Sequence, residues 1–133
     1  MKPQDGTWVG VFVTAAGLSV PVTLYDMKFS DDGTVKGKFA VTAPDDPAWR
    51  GPSKGEISDG GYSPFGTIHL EEDTDQDEYG AAWFDGRYSV HDKNIGVIWG
   101  SVLVRKNKKS ELGTLSLVFA KRPIQAVNGV WHG

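Results

Sequence analysis

Apolar and polar positions alternate along this chain in short runs, each closed off by Gly, Pro, Asn or Asp. Period two is the signature of a strand, whose successive side chains point to opposite faces; nowhere do apolar residues keep the 3.6-residue period of a helix. Residues 34–42 (TVKGKFAVT) alternate most cleanly, with Val35, Phe39 and Val41 on one face and Lys36 and Lys38 on the other. Residues 7–13 (TWVGVFV) are apolar on both faces: Trp8 and Phe12 lie on one side, Val9, Val11 and Val13 on the other. Residues 20–29 form another run, whose Pro21 suits a strand start or a sheet edge. SDDG then turns the chain, with Gly33 able to supply a positive φ.

Residues 43–55 hold three Pro and have no period, which predicts a long loop. KGEISDG and GTIHLEE read as short strands around the turn-rich DGGYSPFG, and an acidic stretch, EEDTDQDEYG, separates them from AAWF. Asp85-Gly86 is the strongest hairpin signal, because both residue types tolerate the positive φ of a type I′ turn. The prediction there is a strand AAWF, a tight turn and a strand RYSV. A turn HDKN, a long strand IGVIWGSVLVR, a turn KNKKSE and a last strand LGTLSLVFAK follow, ended by Pro123. DGTWVG and NGVWHG share a Gly-x-Trp-x-Gly frame near opposite ends, so Trp8 and Trp131 are expected to cover one end of the same core. The whole predicts an all-β fold, a single antiparallel up-and-down β-barrel of about eight strands across residues 1–133, with a β-sandwich as the alternative. Closure removes the exposed edges that template aggregation.

Composition narrows the function more than the fold. At 133 residues and 14.4 kDa, the chain can bury a core without disulfide staples. Its net charge of −3 offers no basic face, so nucleic acid is not an expected partner. The one basic cluster, Arg105 to Lys109, falls where a hairpin tip is expected. There is no cysteine, which removes disulfides, thiolate zinc sites and cysteine nucleophiles. No run has signal-peptide or membrane-spanning character. A cytoplasmic location is expected, or a secreted one if a signal peptide has been cut away.

Most reactive motifs are absent. Asp73, Asp75 and Asp77 have the spacing of a calcium loop, but its sixth position is Glu78 instead of Gly and its twelfth is Phe84 instead of Glu. The three histidines, His69, His91 and His132, lack metal-binding spacings. His69 and Glu71 share a strand face and offer two ligands without a visible third, so no metal is expected. No nucleophile elbow and no phosphate-cradling loop appear. No cofactor is expected, and an enzymatic role is weakly supported.

The aromatic residues carry the remaining signal. Trp8, Trp99 and Phe119 are expected as core filler. Trp49, in its Pro-rich loop, either plugs the barrel mouth or contacts a ligand or partner. Alternation places Phe84 and Tyr88 on one face and Trp83 and Arg87 on the other, where an Arg can stack on a Trp or hold an anionic group. Trp49, Tyr62, Trp83, Arg87 and Trp99 are the candidate ligand-binding residues.

The G-T-W opening (Gly6 to Trp8), the later Trp99-Gly100 on a long strand and the all-β layout resemble the calycin barrels, avidin-like or lipocalin-like. The resemblance implies a barrel with Trp8 packed at its closed end, as the G-x-W of lipocalins is. Where avidins follow G-T-W with polar ligand contacts, this chain has Val9, Gly10 and Val11, so no binding residue is carried over. The expected function is non-enzymatic binding of a small apolar or amphipathic molecule. A protein-binding module is the first alternative and a small barrel enzyme the second. Strands apolar on both faces also predict a homo-oligomer.

Overall fold

A computed structural model describes residues 2–42, 48–73 and 80–121. Among these residues nine strands run in chain order as β1 (Gly6–Thr14), β2 (Ser19–Phe29), β3 (Val35–Val41), β4 (Lys54–Glu56), β5 (Asp59–Tyr62), β6 (Thr67–Glu72), β7 (Ala81–Asp92), β8 (Ile95–Lys106) and β9 (Lys109–Ala120). All pairings are antiparallel, and they form one sheet in the order β4-β3-β2-β1-β9-β8-β7-β6-β5. The sheet curls into a half-barrel, and no helix occurs among the described residues. Its outermost strands, β4 and β5, are consecutive in the chain. A bridge between Thr34 and Gly61 and a bond from Tyr62 N to Gly33 O (2.9 Å) tie β5 to the chain entering β3, the neighbour of β4.

Two expectations are overturned. The first is the hairpin at Asp85-Gly86, for β7 runs through this pair without turning. It bonds to β6 on one side (Ile68 opposite Gly86) and to β8 on the other (Gly86 opposite Gly100). Gly86 is needed for close approach: a Cβ there would lie 2.2 Å from Trp99 O and 2.5 Å from Phe84 Cζ. The local turn preference yields to pairing on both flanks. The second is KGEISDG as one strand: it divides, Lys54–Glu56 pairing with β3 as β4 and Asp59–Tyr62, which runs on into the turn-rich stretch, pairing with Ile68–Glu71 as β5. Among the described residues the strand count becomes nine. The remaining turns fall where predicted, and Asn107 and Lys108, at φ 53° and 65°, join β8 to β9 with the left-handed pair of a type I′ turn.

Alternation survives almost everywhere. In β2 it changes phase at Asp26, which has φ 53° beside a register shift between Tyr25 and Lys28. Val20, Val22 and Leu24 point inward before this bulge, Met27 and Phe29 after it. The interior then divides in two. One end is packed with Trp8 (0% exposed), Phe29, Tyr62, Tyr88 and Phe119. Trp8 meets Phe119 at 5.5 Å and Phe29 at 6.3 Å between ring centroids, and its Nε1 donates to Gln4 O at 3.0 Å. The other end, around Phe12, Phe39, Trp49, Leu70 and Val104, is less full. Trp131 lies outside the described residues, as do Asp75, Asp77 and Glu78 of the acidic stretch and His132.

Candidate functional site

The less filled end holds a partly open cavity of about 80 Å³, lined by Phe12, Leu24, Phe39, Trp49, Leu70 and Val104 among other apolar side chains. Phe12, Leu24, Phe39, Leu70 and Val104 are inward positions of their strands, whereas Trp49 and Pro52 come from the segment between β3 and β4 and Ile57 from the one after β4. Trp49 is buried, meets Phe12 edge-on at 5.5 Å and 85°, and donates from Nε1 to Pro52 O at 3.3 Å. It forms a plug against the cavity, one of the two roles its loop position suggested.

Charge interrupts the apolar wall at β6. Period two from Ile68 and Leu70 brings Glu72 to the inward side of β6, opposite Ala82. Glu71 also contributes to the lining. A Cβ on Gly55 of β4 would lie 3.1 Å from Glu72 Oε1, so the glycine leaves room for this carboxylate at the rim. Burial pushes the Glu72 pKa above its usual value, and the negative charges of Asp73 and Glu56 push the same way. Glu72 therefore stands beside an almost wholly apolar cavity, with the charges of Asp73 and Glu56 close to its carboxylate. Sequence reasoning missed Glu72 because the run EEDTDQDE reads by charge as a single solvated stretch. The signal that could have found it is its parity with Ile68 and Leu70.

The five sequence candidates do not meet. Trp49 is inside, over the cavity. Tyr62 belongs to the packed end, where its hydroxyl donates to Ser30 O at 2.6 Å and its ring meets Phe29 and Tyr88 edge-on. Trp83, Arg87 and Trp99 lie on the outer face. Trp99, expected in the core, is 42% exposed and opposite Arg87 in the register. It belongs to the odd-numbered side of β8, while the core takes the even side through Ile98, Val102 and Val104. An arginine does stack on Trp83, but it is Arg105, 5.8 Å above the ring.

The outer face also gathers charge. His69 Nδ1 lies 2.7 Å from Asp85 Oδ1, and His69 Nε2 lies 3.1 Å from Glu71 Oε2. Asp59 stands opposite Glu71 on β5. Burial works against a proton on His69, but the bonds to Asp85 and Glu71, with their charges, outweigh it and raise the pKa from 6.5. The sequence offered His69 and Glu71 as a pair; the other two carboxylates arrive across strands, which spacing along the chain does not reveal. No family model and no curated protein matches this chain.

Proposed function

We propose that this protein binds a small cationic amphiphile, with the apolar part in the cavity beneath Trp49 and the cationic group beside Glu72. The observation that carries this reading is Glu72, an inward carboxylate at the edge of an otherwise apolar cavity. Ligand sites usually combine an apolar lining with a few placed polar groups. A volume of about 80 Å³ is roughly half the ~150 Å³ that admits benzene, so the pocket suits a short alkyl chain. A larger group enters by displacing Trp49, whose indole N–H is held through Pro52 O. The packing of Trp8 at the opposite end supports a relationship to the calycin barrels, whose G-x-W closes one end.

The test is calorimetry with butyl-, hexyl- and octylammonium against the matched carboxylates. The ammonium series is expected to bind and the carboxylates to bind at least about tenfold more weakly, the loss of one charge-assisted bond. Glu72→Gln should remove that discrimination, and Ala82→Leu, which fills space beside Glu72, should weaken all binding while the fold persists. Equal binding of both series, or of neither, sinks the proposal.

A second reading, self-association, is supported by the exposed apolar residues Val11, Val13, Val97, Trp99, Leu112 and Val118 on the outer face. The two readings use opposite faces of the sheet and are compatible.

A further inference from the structure

We propose that Asp59, His69 and Glu71 bind a divalent transition-metal ion, zinc by the chemistry of the donors, and that Asp85 orients His69 for this role. This site is on the outer face of β5, β6 and β7; Glu71 also reaches the edge of the cavity, but the inference does not rest on the cavity. Four observations combine. First, one donor atom from each of Asp59, His69 and Glu71 lies within 4.8 Å of the others. Tetrahedral zinc with bonds of about 2.1 Å separates its ligand atoms by roughly 3.4 Å. His69 Nε2 and Glu71 Oε2, at 3.1 Å, are already close to that spacing. Asp59 is exposed at the sheet margin, so a side-chain rotation brings its carboxylate in.

Second, the two nitrogens of His69 have different surroundings. Nδ1 faces Asp85 Oδ1 at 2.7 Å, directly across the β6–β7 pairing. Nε2 is the nitrogen on the side of Glu71, where it donates to Oε2, and a metal ion entering between them takes the place of that proton. A carboxylate behind the far nitrogen is the usual support of a metal-bound histidine, fixing its tautomer and ring orientation.

Third, the charge is unbalanced. Three carboxylates surround one imidazole, and a dication would offset what a single proton on the ring cannot. An imidazole with two carboxylates and no thiolate suits zinc or a neighbouring first-row ion, whereas calcium takes six to eight oxygens and has no use for the imidazole.

Fourth, the backbone under the donors is tied down. Ser58, next to Asp59, donates from both N (2.8 Å) and Oγ (2.9 Å) to Glu71 O, and its Oγ accepts from Asp73 N at 3.1 Å. Donors mounted on paired strands hold their spacing better than donors on loops. Three protein ligands on an exposed face leave the remaining coordination position to water.

The experiment titrates the untagged full chain with Zn²⁺ by competition against a fluorescent chelator, and records the visible spectrum with Co²⁺. One ion per chain is expected, with the Co²⁺ bands of a four- or five-coordinate N/O site. His69→Ala should abolish this site, Asp85→Asn should weaken it about 10- to 100-fold, the usual effect of removing such a support, and His91→Ala should change nothing. All three residues are exposed or half-buried on the outer face, and thermal melting of each variant verifies that the chain still folds. Equal Zn²⁺ affinity in wild type and His69→Ala overturns the site, as does tighter binding of Ca²⁺ than of Zn²⁺. Unchanged affinity in Asp85→Asn overturns the orienting role of Asp85.

Discussion

Asp5 shows how one side chain at a strand entrance holds two elements. Its Oδ1 accepts from Phe29 N at 2.8 Å and its Oδ2 from Lys28 Nζ at 3.2 Å, so the residue before β1 is tied to the end of β2. Burial by itself would raise its pKa, but the Phe29 N–H and the Lys28 ammonium outweigh that and hold it below 3.8. A depressed carboxylate contributes stability that is fully present above the unfolded pKa and is lost as pH falls through the folded one. Asp5→Ala should therefore cost about 1 kcal/mol at neutral pH, the low end for a bond to a charged group because the side chain is 42% exposed and screened. Urea denaturation of both proteins should show the gap closing toward pH ~2; a gap that persists there excludes the carboxylate as its source. Phe84 and Trp83 make a second contrast at this scale. Phe84 is buried against the cavity and Trp83 lies outside under Arg105. Phe84→Ala should destabilise by about 3–5 kcal/mol, as emptied aromatic sites do. Trp83→Ala should cost well under half of that, and thermal melting that ranks them equally would return Trp83 to the core. Parity alone made this pair legible. It did not settle Trp99, because β8 carries large apolar residues on both sides and nothing in the chain says which side faces in.

Strand β7 is where local preference and tertiary pairing disagree. Asp-Gly favours a tight turn, yet Phe84, Gly86 and Tyr88 keep one parity and Trp83, Asp85 and Arg87 the other, as an uninterrupted strand requires. The chain was therefore readable either way, and only the pairing with β6 and β8 decided it. Gly86 and Gly100 face each other across β7 and β8, and a Cβ on Gly100 would lie 2.3 Å from Asp85 O. Paired glycines of this kind let a sheet bend sharply at a barrel corner. Gly86→Ala and Gly100→Ala should each cost about 1–3 kcal/mol through overpacking. A Gly100→Ala protein that melts like wild type would remove the close approach as the reason for glycine here. The Asp26 bulge was legible in principle, since the apolar parity of β2 changes between Leu24 and Met27. The β5 strand was not, because two of its four residues are Gly and local composition marks them as turn.

At the scale of the whole molecule, one physical limit connects the strand pattern to assembly. A curled sheet has one interior, so strands apolar on both faces must leave one face outside. In the register, Val9, Val118 and Val97 form one outward row across β1, β9 and β8, and Leu112 faces Leu103 further along. Val11, Ser116, Trp99 and Arg87 form a parallel row that ends in charge. Four strands at ~4.8 Å spacing and nine residues at ~3.4 Å rise give this face roughly 500–600 Å². That is at the upper end of the largest patch on a typical monomer, ~300–600 Å². With its polar rim it approaches the ~800 Å² that each partner buries in a standard interface. Arg87, Asp85 and Arg105 flank the patch while Ser116 and Thr114 are interspersed within it, the layout of an apolar centre and a charged margin. A second copy of the same face is the simplest complement, since a two-fold axis matches a patch to itself. The expected outcome in sedimentation velocity is a dimer at tens of micromolar. Trp99 is the exposed aromatic at the centre of this face, and buried aromatics dominate interface energetics, so Trp99→Lys should weaken association by about tenfold or more. Because Trp99 lies outside the core, the variant should keep its circular dichroism spectrum and refold as before. A wild-type chain that sediments as a monomer at high micromolar concentration would show that this face stays in water.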